Sequence, residues 1–205
     1  MTVIKVHHLN QSRSLRILWL LEELNLPYEV IRYERDATTR LAPPELAQIH
    51  PLGKSPVIEI DGQIVAESGA IVETIVARHG QDLVPPKDSD AYIQHLELMH
   101  FAEGSVMTPL LLNLYTARLG EAAAPLQPRI QQEMANHYGY LETVIRPSGH
   151  FVLDDLSAAD IMLSFPVSVL SRLGLEDSYP NLAAFNQMVR SRPAFQKALE
   201  QAGGD

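Results

Sequence analysis

Cysteine is absent from this chain of 205 residues. That absence excludes disulfide staples, thiolate metal ligands and a cysteine nucleophile carried by the protein. It suits a reducing compartment without demanding one, because a protein without thiols is indifferent to redox poise. Basic residues are also scarce, 16 against 25 acidic ones, for a net charge of −9. No basic run offsets this balance, which favours solubility and excludes a nucleic-acid face built on phosphate neutralisation. The densest apolar run, Ile17 to Leu21, is far too short to cross a bilayer. The start, Met1-Thr2-Val3-Ile4-Lys5-Val6, reads as a strand and lacks the apolar core of a secretion signal. These features predict a cytoplasmic protein with no membrane partner.

Signatures of several reaction classes are missing too. The eight histidines include no His-Glu-x-x-His pair, so a metal site has little support. There is no phosphate-binding glycine loop and no serine nucleophile elbow. What remains is globular. Apolar residues make up 46% and charged residues 20%, the balance of an ordinary soluble protein. A chain of this length buries about 70% of its unfolded surface and needs no covalent or metal staple. It has room for one large or two small domains.

The N-terminal part alternates element types. Val3 to His8 is a candidate strand, and Leu15, Leu18, Trp19 and Glu22-Glu23 set up an amphipathic helix closed by Asn25 and Pro27. Tyr28 to Tyr33 is a second strand, parallel to the first if a helical crossover joins them. A short helix is expected over Ala42 to Gln48. Val57 to Ile60 and Gln63 to Val65 flank Asp61-Gly62, the strongest short-range hairpin signal, because a type I′ turn needs positive φ at both central residues. A helix follows from Gly69 to His79 and stops at Gly80. This β-α-β-(α)-β-β-α order is that of a thioredoxin-like domain over residues 1–81. Pro85-Pro86 mark a linker over 82–87.

From residue 88 to 205 the pattern is helical. Ile130, Met134, Tyr138, Leu141 and Ile145 form one buried stripe. Ser157-Ala-Ala-Asp160 reads as a capping box with Leu156 and Ile161 as its hydrophobic staple. Pro166 is expected to bend that helix, and Pro193 begins a last helix ended by Gly203. The fold class is therefore α/β followed by an all-α domain.

Two local signals carry chemistry. In His50-Pro-Leu-Gly-Lys-Ser-Pro56 a proline enters the third strand. A cis bond there would turn the N–H and C=O of Ser55 outward to pair with an extended peptide, while a trans proline is common at a strand start. Glu67-Ser68 begins the next helix, where free N–H groups and the dipole favour a carboxylate and Glu67 can accept an ammonium. Capping of the helix by Ser68 accounts for the same residues. Lys54 and Arg40 suit a second carboxylate. Ser12, between the first strand and helix, can donate to a thiolate and lower the pKa of a bound thiol, and Ser12 or Ser14 would equally serve as an N-cap.

Taken together, these residues resemble the glutathione transferases over nearly the whole chain. Val6 to Ser14, Leu20 to Leu24 and Arg40-Leu-Ala-Pro-Pro-Glu45 are similar to the fungal-type branch also found in bacteria. The resemblance implies a homodimer with an active site at the domain cleft and glutathione as co-substrate, with no resident cofactor. It implies that Glu67 and Ser68 hold the γ-glutamyl end, the Ser55 backbone the cysteinyl unit, and Lys54 or Arg40 the glycine carboxylate. Glu103 is the candidate acidic residue reaching the γ-glutamyl amine of the other subunit. Thiolate activation falls to Ser12, with Asn10, Gln11 and Ser14 beside it as alternatives, because registering on Leu26-Pro27 puts Gln11 where serine-type members carry their serine. The implied activity is conjugation of glutathione to a hydrophobic electrophile. Reduction of organic hydroperoxides by the same thiolate is the alternative, as is a non-catalytic binding or regulatory protein on this scaffold.

Overall fold

The computed structural model describes residues 3–204. Met1 and Thr2, the first residues of the expected leading strand, lie outside the described residues. The chain divides into two compact units, Met1–Gln81 with Val189–Asp205, and Asp82–Met188.

The first unit is built on a four-stranded sheet in the order β2-β1-β3-β4, with β1 Ile4–Leu9, β2 Tyr28–Tyr33, β3 Val57–Ile60 and β4 Gln63–Ala66. Strand β1 runs parallel to β2 and antiparallel to β3, and β3 is antiparallel to β4. Asp61 (φ 50°) and Gly62 (φ 76°) both take the left-handed conformation that the type I′ hairpin demands. Helix α1, Leu15–Glu23, carries Ile17, Leu18, Trp19, Leu20 and Leu21 with no exposed surface at all. A run so apolar on every side folds only as a helix covered all round. It ends in a Schellman-type closure, with Asn25 at φ 51° and the Leu26 N–H donating to the Leu21 carbonyl at 3.0 Å. Helix α2 is Leu46–Ile49, shorter and later than expected, because Pro43 and Pro44 disfavour helical backbone just before each of them. Helix α3, Ser68–His79, stops at Gly80 without a left-handed cap, φ being −139°.

The second unit contains α4 Asp90–Gly104, α5 Met107–Thr116, α6 Gln127–Val144 and α7 Ala158–Leu173, followed in the chain by α8 Pro180–Ser191. Ile130, Met134, Tyr138 and Leu141 are buried on α6, while Ile145 sits just past its end and is half-buried. Helix α7 stays one helix through Pro166, whose carbonyl accepts the Tyr138 hydroxyl at 2.9 Å. Its capping box is complete. The fully buried Asp160 accepts the Ser157 N–H and hydroxyl at 2.7 and 2.6 Å and the Phe151 N–H at 2.9 Å. Leu156 and Ile161, the staple pair, are both buried.

The division departs from an 88–205 helical domain at its far end. Helix α9, Pro193–Ala202, packs with the sheet unit. Phe195 meets Trp19 edge-on with ring centres 5.5 Å apart, and Arg192 grips the Glu23 carboxylate through two bonds of 2.6 and 3.0 Å. Trp19 also donates its indole N–H to Glu23 at 2.7 Å. Wide aromatic surface and a bidentate ion pair outweigh nearness in sequence. Among the described residues no helix is long and apolar enough to cross a membrane.

Asp160→Ala strands three buried donors in the second unit, each costing about 1–3 kcal/mol. The urea midpoint should fall by an amount equivalent to about 3 kcal/mol or more with the m-value unchanged, and an unmoved midpoint would show that the capping box contributes nothing.

Candidate functional site

Strand register decides which loops meet. Leu9 pairs with Tyr33, His7 with Val57, and Val57 with Ala66. The C-terminal ends of β1, β2 and β4 and the start of β3 therefore share one end of the sheet. From that end emerge the 10–14 turn, the 34–40 loop, Lys54-Ser55 and Glu67-Ser68. Thus Ser12, Arg40, Lys54, Ser55, Glu67 and Ser68 are gathered by topology although they come from separate stretches of the sequence. Glu103 is not among them. It lies half-buried on α4 in the other unit.

The Ser55–Pro56 bond is cis, one of the two alternatives open on the sequence. The Ser55 hydroxyl donates to the His7 carbonyl at 2.8 Å and accepts the Leu9 N–H at 3.2 Å. It thereby ties β3 to β1 and is spent, so recognition at this residue is left to its backbone. Lys54 beside it is exposed.

Glu67 occupies φ 68°, ψ 121°, outside the usual regions for a residue with a Cβ, and its side chain is exposed. Such a conformation costs about 1–3 kcal/mol and is kept where surrounding structure enforces it. It stands at the N-cap of α3 but its side chain caps nothing. Ser68, 4% exposed, is the first helical residue and does not occupy the cap position. The first turn of α3 holds no acidic residue, so its N–H groups and dipole are not neutralised within the helix.

Loop 34–40 is bound to the 10–14 turn by Arg35. Its guanidinium donates to the carbonyls of Asn10 (3.1 Å), Gln11 (3.4 Å) and Arg40 (3.1 Å), and its N–H donates to Asn10 Oδ1 at 2.9 Å. Arg40 in turn donates from Nη2 to Gln11 Oε1, both residues having positive φ, 63° and 50°. Asp36 accepts from Thr38 N–H and from Thr39 N–H and hydroxyl, and the Thr39 backbone bond foremost holds its carboxyl below the usual range. Asn10 and Gln11 are thus occupied in holding the loop. Ser12, 7% exposed, accepts the Ser14 N–H at 3.2 Å, and its hydroxyl lies 2.7 Å from that of Ser14.

The two histidines of β1 point to different surroundings. His7 Nδ1 lies 2.9 Å from the Tyr33 hydroxyl and its Nε2 3.0 Å from Glu59. Its hydrogen bond is the main cause of the lowered Glu59 pKa. Burial, then the carboxylates of Glu59 and Glu45, raise the Tyr33 pKa, so this phenol stays protonated. His8 lies instead with its Nδ1 2.8 Å from the Ser14 hydroxyl. Arg35, His8 and the Ser14 contact were not legible in the sequence. A lone arginine after a strand and a histidine within one carry no spacing signal.

Comparison with known proteins gives concordant results. Residues 1–77 match the model of the glutathione S-transferase N-terminal domain, and residues 106–202 that of the glutathione S-transferase C-terminal domain. The chain is 31% identical to glutathione S-transferase 1 of Saccharomyces cerevisiae, over 98% of this chain and 95% of that protein. A solved glutathione S-transferase from Actinobacillus pleuropneumoniae superposes with a TM-score of 0.90 at 30% identity, covering 98% of this chain and 94% of the other. A glutathione transferase homologue from Lodderomyces elongisporus, solved with two GSH per subunit, shares the fold at a TM-score of 0.83 and 22% identity, covering 98% and 99%.

Arg35→Ala removes the guanidinium bonds between the two loops. Amide exchange at residues 10–12 and 40–41 should rise about tenfold or more, with α3 unchanged. Equal protection in the variant would mean that Arg35 does not organise this edge.

Proposed function

The chain belongs to the glutathione S-transferase family, and from that premise we propose that it binds glutathione along the shared end of its sheet. There it holds the sulfur as a thiolate and transfers it to a hydrophobic electrophile. One observation carries this reading. Strand register gathers a buried hydroxyl at Ser12, a strand-entry backbone at Ser55 and an unneutralised helix N-terminus at Ser68 along one edge.

Each end of the tripeptide has a matching group. The γ-glutamyl carboxylate suits the N–H groups and hydroxyl at Ser68, and its ammonium suits the exposed Glu67 carboxylate. The cysteinyl unit pairs with the Ser55 backbone as an added strand. Lys54 or Arg40 meets the glycine carboxylate. Ser12 donates to the sulfur, favouring the thiolate over the thiol. Conjugation then follows when the thiolate attacks the electrophilic carbon, forming a C–S bond as the leaving group departs or the acceptor double bond takes up the electron pair. The chain works as a homodimer in which Glu103 of one copy supports the γ-glutamyl amine of the other, in the cytoplasm, where glutathione is kept reduced. The bound GSH of the Lodderomyces homologue supports the ligand assignment.

Glu67→Ala should weaken glutathione binding by about tenfold or more in isothermal titration with unchanged circular dichroism. Wild-type affinity would refute the head-group assignment. Ser12→Ala should raise the pKa of bound glutathione, followed as thiolate absorbance against pH, and lower kcat by about 10²-fold. An unchanged titration would move the role to a neighbour. Failure of the wild-type protein to bind glutathione at all would end the transferase reading.

A further inference from the structure

A chain of hydroxyls runs inward from Ser12. Its Oγ lies 2.7 Å from Ser14 Oγ, which lies 2.8 Å from Nδ1 of His8. Ser12, Ser14 and His8 are 7%, 0% and 1% exposed, so no bulk water stands in for any of these partners. Ser14 occupies the N-cap position of α1, where a serine hydroxyl ordinarily accepts a helix N–H. Here it makes no cap bond. Capping therefore does not explain where the Ser14 hydroxyl points, and the contact with His8 does.

A serine hydroxyl has one proton to give and two lone pairs with which to accept. Two polarities run the whole length of the chain. In the inward one, Ser12 donates to Ser14 and Ser14 donates to His8 Nδ1, which leaves Ser12 only a lone pair for a ligand. In the outward one, Nδ1–H of His8 donates to Ser14, and Ser14 donates to Ser12. Ser12 Oγ already accepts the Ser14 N–H at 3.2 Å. Both of its lone pairs are then engaged and its single proton is free to point away from the chain. A thiolate is stabilised by the outward polarity and repelled by the inward one.

We propose that His8 and Ser14 are positioning residues that polarise this chain outward, His8 donating from Nδ1, so that Ser12 presents its proton to the sulfur of bound glutathione. This rests on the reading that Ser12 faces that sulfur. The two polarities differ by rotation of two hydroxyls and by the position of the imidazole proton. Whichever group puts a proton on Nδ1 therefore sets what Ser12 offers the ligand.

The test uses the full-length protein with glutathione and, as a probe without a thiol, S-methylglutathione. Ser14→Ala should raise the pKa of the bound thiol by about one unit and lower kcat with an activated aryl halide about tenfold. Affinity for S-methylglutathione should stay at the wild-type value, which a merely structural defect would not spare. His8→Leu should behave alike. His8→Asn, whose amide can set an N–H where Nδ1 stood, should restore most of the shift. Nitrogen-15 NMR of the wild-type glutathione complex should show a proton on Nδ1. An unmoved thiol titration in Ser14→Ala, or a bare Nδ1 in the complex, overturns the proposal. If the histidine variants do not fold, Ser14→Ala and the wild-type NMR decide. A wild-type protein that binds neither probe overturns the glutathione reading and this proposal with it, whereas a depressed thiol pKa indifferent to Ser14→Ala overturns the hydroxyl chain alone.

Discussion

Antiparallel pairing of β3 between β1 and β4 is the constraint on which the site depends. Because both ladders reverse direction, the start of β3 meets the ends of its two neighbours, and the parallel β2 ends there as well. The Ser55 hydroxyl, bonded to both His7 and Leu9, locks the β1–β3 edge at the point where the loops begin. A slip of one residue would send every side chain of β3 to the opposite face, exchanging Ile58 and Ile60 with Val57 and Glu59. Core packing and site geometry are therefore enforced by the same register.

Helix α1 transmits that order to the rest of the unit. Its middle is buried on every side, and its last turn offers Glu22 and Glu23 to α9, where Lys197 and Arg192 meet them at 2.6 Å. The carboxylate of Glu22 also takes the Tyr28 hydroxyl, and burial first, then that bond, raises the tyrosine pKa. With its C-terminal end held in this way, α1 presents a fixed N-terminal end to the 10–14 turn. There Ser14 leaves its cap role unfilled and turns to His8. The capping box of α7 is the opposite case. Ser157 and Asp160 satisfy each other completely, which suits a buried helix start that serves stability alone.

Much of this was legible in the residues themselves. Asp61-Gly62 announced its turn because few residue pairs accept positive φ twice. Ser157 to Asp160 announced a helix start because the capping pattern is local. Ala42 to Gln48 misled because the Pro43-Pro44 pair overrides the helical tendency of its neighbours. The grouping of Lys54-Ser55 with Glu67-Ser68 was accessible through the hairpin, since a short turn fixes which residues face each other.

Composition alone determined that any thiol chemistry belongs to a ligand, since the chain has no cysteine. Local pattern determined the elements and their order. Tertiary structure alone decided that α9 joins the sheet unit, that the Ser55–Pro56 bond is cis, that Arg35 binds the two loops, and that Ser14 faces a histidine six positions earlier on a neighbouring strand. The physical reason is one of range. Turn and capping preferences act over a few consecutive residues, whereas a buried hydroxyl chooses its partner from whatever the packed core brings within hydrogen-bonding distance.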